Sequence, residues 1–116
     1  MLNKKIIFTA LFWLLFAATT FLLLIEVKPT LQTWPKDKLE HAIVFGLLTY
    51  LGVKAYPKHV FYNCLGLAIY GGLMESLQPL LTLTRTGSIG DWLADLVGIS
   101  ATLVISNLIY KKLNQK

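Results

Sequence analysis

Residues 6–25 read IIFTALFWLLFAATTFLLLI and contain no charged side chain. Each residue of an α-helix rises 1.5 Å, so a run of this length extends about 30 Å, the thickness of the hydrocarbon core of a bilayer. The run is too long for the apolar core of a signal peptide, and no small-residue cleavage pattern follows it. The stretch therefore predicts an uncleaved transmembrane helix.

Three further apolar segments follow, each with charges only near its ends. They cover about residues 39–56, 60–78 and 91–110. Pro79 predicts the end of the third helix at residue 78, because proline cannot continue a helix. We expect an all-α fold, with residues 1–116 forming one integral membrane domain. It is predicted to be an up-and-down bundle of four transmembrane helices.

The composition fits a bilayer better than water. Hydrophobic residues make up 55% of the chain and charged residues only 15%, whereas about 25% of a soluble domain is charged. The formal net charge of +5 does not indicate a nucleic-acid partner, since the lysines lie at the ends of apolar segments and form no patch. Membrane lipids are the expected partners.

The basic residues divide unequally between the two sides of the predicted bundle. Four lie beside the 26–38 and 79–90 loops, and seven lie on the side of the termini: Lys4, Lys5, Lys54, Lys58, Lys111, Lys112 and Lys116. Cytoplasmic loops carry the excess of Lys and Arg. Both termini are therefore predicted to be cytoplasmic.

The 6 acidic residues all lie on the predicted outer side. Polar pairs at spacings of three or four residues lie at the ends of three helices, and such spacings put each pair on one helix face. The pairs are Asp37 with His41, Glu75 with Gln78, and Asp91 with Asp95. Arg85 lies in the loop between the last two. The sequence predicts a polar pocket at the outer membrane face.

Small residues indicate that these faces point toward neighbouring helices. The face of Asp95 continues through Gly98 and Thr102, and the face of Glu75 continues through Gly71 or Gly72. Small side chains line contacts between membrane helices, because they let the backbones approach. A charge facing lipid would cost about 2.5–3.5 kcal/mol. We therefore expect the acids to converge inside the bundle.

The helix dipole offers a structural explanation for some of these acids. Asp37 and Asp91 lie at predicted helix N-termini, where a negative charge contributes about 0.3–1 kcal/mol. Glu75 lies near a helix C-terminus, where such a charge is unfavourable, and His41 and Asp95 lie a full turn inside their helices. These last three are the candidate catalytic residues. The candidate contacts to a cofactor or headgroup are Asp37, Gln78, Arg85 and Asp91.

The order of these residues resembles the VanZ-like family. The matching pieces are Asp37-Lys38-Leu39-Glu40-His41 with Phe45, Glu75-x-x-Gln78, Arg85-x-x-Ser88-x-x-Asp91, and Gly98. Asp95 departs from the pattern, because the family is expected to carry Asn there. The resemblance implies a multi-pass protein of the bacterial cytoplasmic (inner) membrane, near the cell envelope. The family's namesake links it to glycopeptide resistance, but the resemblance supplies no reaction.

The first functional hypothesis is a pocket that binds a lipid or a lipid-linked, phosphate-bearing envelope precursor. A divalent cation is a candidate cofactor, since carboxylates suit Mg²⁺ or Mn²⁺ and His41 allows Zn²⁺. The cation would bridge to a phosphate that Arg85 also contacts. Alternatively, His41 or Glu75 would act as a general base. The sequence leaves open whether the protein is an enzyme.

Two other hypotheses come from different classes. In a structural or interaction subunit, the acids would pair with Lys38 and Arg85 and set the register of the helices. In a small transporter, formed as a homo-oligomer, the acids would conduct or couple ions. The transporter is less favoured, because transporters bind near the bilayer midplane and the centres of these helices hold few polar residues.

Overall fold

The computed structural model describes residues 3–24, 36–81 and 89–114. These residues form four α-helices, namely α1 (Lys4–Leu24), α2 (Lys36–Ala55), α3 (Val60–Leu81) and α4 (Ile89–Asn114). A 3₁₀ turn at Pro57–His59 connects α2 to α3. The predicted all-α fold is confirmed, and the described ranges contain no strand. Predictions for the 25–35 and 82–88 stretches lie outside the described residues.

Three of the described helical segments are long enough and apolar enough to cross a membrane: Lys4–Leu24, Pro57–Leu81 and Ile89–Ile109. Large apolar side chains cover the outside of the bundle, and Leu14, Phe21 and Leu108 are each more than half exposed. Such a surface is unfavourable in water and is compatible with lipid. These features identify a helical membrane protein.

The α2 helix is not among the three apolar segments, although it was predicted to span as well. Its first turns carry two lysines, an aspartate and a glutamate within residues 36–40. The helix packs against all three others, most extensively against α4, and Leu48 and Thr49 in its middle are fully buried. A helix that packs against three others needs less apolar surface than one that mostly faces lipid.

Helices that follow one another in the chain run in opposite directions, as predicted for an up-and-down bundle, so α2 and α4 run in the same direction. The indole N–H of Trp13 in α1 donates to the hydroxyl of Tyr56, just after α2, over 2.9 Å. Gln78 near the end of α3 donates to the Leu23 carbonyl at the end of α1, also over 2.9 Å. We call the end where α2 and α4 begin the polar end. The opposite end, where α2 ends and α3 begins, is the aromatic end.

The α2 and α4 helices approach each other most closely at Gly98. A Cβ atom on this glycine would lie only 2.1 Å from the backbone oxygen of Ala42. Glycine lacks the Cβ and so permits this backbone contact. Ala42 follows His41 directly, and Gly98 lies one turn after Asp95. The crossing therefore brings the side chains of His41 and Asp95 together.

Several helix ends differ from the predictions. The α2 helix begins at Lys36, three residues before the predicted start at residue 39, and α4 continues four residues past the predicted end at residue 110, to Asn114. The α3 helix continues to Leu81 with Pro79 inside its last turns, so the predicted stop at residue 78 is wrong. A proline inside a helix removes one hydrogen bond, which membrane helices tolerate. The α4 helix begins at Ile89, so Asp91 lies within its first turn.

Candidate functional site

His41 lies at the centre of a cluster of charged side chains at the polar end. Its Nδ1 forms a hydrogen bond with Asp95 Oδ1 over 2.8 Å. The same Nδ1 lies 3.8 Å from Glu75 Oε1. The other ring nitrogen, Nε2, lies 3.8 Å from Asp91 Oδ2. One imidazole from α2 therefore meets carboxylates from both α3 and α4.

The members of this cluster are almost completely withdrawn from the surface. Asp95 is 1% exposed, and His41, Glu75 and Asp91 are 6%, 8% and 5% exposed. Burying a charge in a real protein costs on the order of several kcal/mol unless other groups compensate for it. Glu40, the neighbour of His41 in the chain, is exposed instead. Among the described residues that can carry a charge, the buried ones are the predicted catalytic residues and Asp91.

Lys38 adds a positive charge to the cluster. Its ammonium group forms an ion pair with Asp91 Oδ1, between α2 and α4. The lysine side chain stays 27% exposed, whereas that of Asp91 is 6% exposed. The sequence suggested Lys38 only as a structural partner of the acids, and the structure places it at the mouth of the site.

The α3 helix reaches the cluster through a glycine and a tryptophan. A Cβ atom on Gly71 would lie 2.8 Å from Asp95 Oδ2, so only a glycine leaves room for this carboxylate. The indole N–H of Trp92 in α4 donates to the Ala68 carbonyl in α3 over 2.9 Å. These two contacts hold α3 so that Glu75, one turn after Gly71, faces the imidazole.

Gln78 reaches the same end of the bundle but contacts α1. Its side-chain amide donates to the Leu23 carbonyl, and the glutamine is only 2% exposed. The last four carbonyls of a helix lack donors within that helix. Gln78 therefore caps the C-terminal end of α1. Its predicted contact with a headgroup stays a prediction.

Two other predicted contacts are described less fully. Asp37 lies in the first turn of α2, one turn before His41. Arg85 falls on the 82–88 stretch, which lies outside the described residues. Their roles in binding a headgroup stay predictions.

An apolar groove of about 170 Å³ between α1 and α2 leads to His41. Glu40 and His41 supply its charged or ionisable lining, and Thr19 is the buried hydroxyl on the α1 side. The apolar lining is Leu15, Ala18, Leu22, Leu23, Val44 and Phe45. The apolar run of α1 did not predict that this helix lines the site. Thr19, one of three threonines in that run, was the available indication.

The arrangement suits two kinds of chemistry. The bond to Asp95 holds the His41 ring in one orientation, which either a general base or a metal ligand requires. The carboxylates of Glu75 and Asp95 lie on the same side of the ring and can share a proton or a cation with it. Both uses need the three helices to meet as they do here.

Comparison with protein-family models, curated proteins and solved structures found no match to this chain. The resemblance to the VanZ-like family therefore rests on the residue pattern alone and stays a prediction. The function has to be inferred from the cluster and the groove themselves.

Proposed function

We propose that this membrane protein binds a lipid or a lipid-linked, phosphate-bearing headgroup at its polar end. The observation that carries the proposal is the continuity between the apolar groove and the charged cluster. Val44 and Phe45 line the groove, and His41 lies where the groove meets the cluster. A lipid has the same division, since its chain needs an apolar surface and its headgroup needs polar partners.

The distribution of charge supports an outward-facing site. The excess of lysines lies at the end that carries the termini, which favours a cytoplasmic location for that end. The polar end then faces the outside of a bacterial cytoplasmic membrane. Together with the VanZ-like residue pattern, this orientation proposes a role in the cell envelope, with glycopeptide resistance as the phenotype to examine.

Recognition of a phosphate requires positive charge at the mouth of the site. Carboxylates alone would repel a phosphate by Coulomb interaction. Lys38 is the described basic residue beside the acids, and its partial exposure leaves it accessible to a headgroup. A phosphate oxygen would be shared between Lys38 and a cation held by the carboxylates.

The groove can be blocked without touching the charged residues. Ala17 and Ala18 are both exposed, but only Ala18 lines the groove. We expect a polyprenyl phosphate to raise the unfolding temperature of the detergent-purified protein and of Ala17→Trp, but not that of Ala18→Trp. Saturation at 100 times the Kd corresponds to a stabilisation of about 2.7 kcal/mol.

Two further probes identify the part of the ligand that is recognised. The matching polyprenol lacks the phosphate, so it shows how much the headgroup contributes to binding. Inorganic phosphate lacks the polyprenyl chain, so it shows how much that chain contributes. The proposal predicts a weaker shift with either one than with the polyprenyl phosphate. An equal shift for Ala18→Trp and Ala17→Trp would contradict it.

The alternative is a structural or interaction subunit. It is favoured by the bonds that join α2 to α4, namely the Lys38–Asp91 ion pair and the His41–Asp95 hydrogen bond. In that case the cluster would exist to hold two helices in register, and a neutral substitution would weaken the fold. A transporter is less supported, because the described charged cluster lies at one end of the bundle and not at its middle.

A further inference from the structure

We propose that His41, Glu75 and Asp95 bind one divalent transition-metal ion, with Zn²⁺ as the best fit. Each residue offers one ligand atom, and these atoms all lie within 4.8 Å of one another. The ligands come from three helices, α2, α3 and α4. The site lies in the cluster of the proposed function, but it requires only the metal and no lipid.

The distances suit a first-row metal. Zn²⁺ binds histidine nitrogen and carboxylate oxygen at about 2.0–2.2 Å, and tetrahedral geometry then separates the ligand atoms by about 3.4 Å. His41 Nδ1 lies 2.8 Å from Asp95 Oδ1 and 3.8 Å from Glu75 Oε1. Movements of about half an ångström bring each carboxylate to the separation from Nδ1 that the metal needs. The ligand oxygens of Glu75 and Asp95 lie within 4.8 Å of each other and must also come to about 3.4 Å.

The donor set selects the class of ion. Imidazole nitrogen favours Zn²⁺, Fe²⁺ and similar ions, whereas Mg²⁺ and Ca²⁺ prefer sites made of oxygen alone. One histidine and two carboxylates therefore bind a transition metal better than an alkaline-earth ion. Three protein ligands also leave one tetrahedral position for water or a phosphate oxygen, as in catalytic zinc sites.

The formal charge of the site favours a divalent cation. Two carboxylates and a neutral imidazole carry a net charge of about −2, which matches the charge of one divalent ion. One divalent ion would cancel the charge of Glu75 and Asp95 without any proton.

Asp91 supplies a second, independent feature of a metal site. When a histidine ligates a metal through one ring nitrogen, the other usually donates its hydrogen to a carboxylate. With Nδ1 on the metal, His41 Nε2 faces Asp91 Oδ2 at 3.8 Å. Asp91 is itself held by Lys38. The separation of 3.8 Å is longer than a hydrogen bond, so His41 Nε2 and Asp91 must come closer when the metal binds.

The test measures metal binding to the detergent-purified protein in the absence of lipid. The protein is stripped with a chelator and dialysed against Zn²⁺, and bound metal is counted by mass spectrometry. Titration with Co²⁺ follows the visible absorption bands of tetrahedral coordination. We expect one equivalent of Zn²⁺, and no comparable binding of Mg²⁺.

Matched variants locate the ion. His41→Gln and Asp95→Asn should lower the affinity by more than about a hundredfold, since ligand loss exceeds the tenfold to hundredfold effect of outer-shell changes. His59→Gln alters the exposed histidine at the aromatic end and should keep one equivalent. Asp91→Asn, which retains all three ligands, should lower the affinity about tenfold or more.

The outcomes separate this proposal from the lipid proposal. If the folded wild type binds no Zn²⁺, or if His41→Gln binds it as tightly as His59→Gln does, the metal site is refuted. Asp91→Asn serves as the deciding variant if His41→Gln does not fold. Metal binding without a lipid shift would remove only the proposed lipid function, and a lipid shift without metal would remove only this site.

Discussion

The two ends of the bundle each carry one histidine, in opposite surroundings. His41 at the polar end is 6% exposed and faces three carboxylates. His59 at the aromatic end is exposed in the 3₁₀ turn. Helices at the aromatic end are joined by neutral groups, such as the Trp13–Tyr56 hydrogen bond and the edge-to-face rings of Phe12 and Tyr56.

The comparison shows that this fold does not need buried charge to join its helices. Aromatic and hydroxyl groups join α1 to α2 at one end with little desolvation cost, because they carry no charge. At the other end, charged groups join the helices, and desolvating each buried ion costs on the order of several kcal/mol. Uncharged contacts could join the helices at both ends, but the protein uses them at only one end. The buried charges therefore favour a function for the polar end.

The largest expected effect comes from separating α2 and α4. In Gly98→Ala the new Cβ would lie 2.1 Å from the Ala42 backbone oxygen, so the helices must move apart. We expect a loss of about 3 kcal/mol or more, at the upper end of overpacking costs, together with the loss of metal binding. Gly66→Ala is the control, since its Cβ would meet nothing within 4 Å. Denaturant unfolding of both variants provides the test, and equal stability would contradict the proposed crossing.

Neutralising Asp95 tests whether the cluster is maintained for function. In the metal-free protein, Asp95→Asn removes one of three neighbouring negative charges and keeps a side chain of the same shape. We expect it to raise the free energy of unfolding by about 1 kcal/mol, as is common when a functional residue is replaced. Thermal unfolding with and without Zn²⁺ measures the change. A clear loss of stability would favour the structural subunit instead.

Substitution of two lysines on α2, one near each end, compares the two ends of the bundle directly. Lys38 pairs with Asp91, whereas Lys54 at the aromatic end lies 5.7 Å from the centre of the Tyr50 ring. Because its pair is partly buried, Lys38→Gln should cost about 1 kcal/mol, and Lys54→Gln less. Only Lys38→Gln should also reduce the shift caused by polyprenyl phosphate. Equal lipid shifts for the two variants would remove Lys38 from the site.

The smallest effect is expected at the aromatic end. Trp13→Phe removes the indole donor to the Tyr56 hydroxyl and keeps an aromatic ring. We expect a loss of about 0.5–1 kcal/mol, the typical net contribution of one hydrogen bond. Zn²⁺ and lipid binding should stay at wild-type values. A change in either would show that the two ends are coupled.

Much of the site could be predicted from the chain itself. Spacings of three and four residues placed His41, Glu75 and Asp95 on helix faces lined with Gly71 and Gly98, and the structure shows these faces packed together. The reason is that face and depth follow from helix geometry alone. The resemblance to the VanZ-like family and the proposed ligands remain predictions from the same pattern.

Other parts of the site depended on the third dimension. No local pattern in the chain predicted three features of the structure. These are the groove wall that α1 contributes, the cap that Gln78 places on α1, and the packing of α2 against all three other helices. The α3 helix also continues past Pro79, although a proline usually ends a helix. Membrane helices tolerate such a proline, because neighbouring helices compensate for the lost hydrogen bond.

The sequence by itself determined four helices and the end of the bundle where the charges collect, since apolar length and periodicity are local properties of a chain. Only the tertiary structure decided that one imidazole contacts carboxylates from two other helices. That contact depends on how α2 and α4 are rotated and how closely they cross. The close approach of Gly98 to the Ala42 carbonyl sets both, because no side chain stands between the two backbones there.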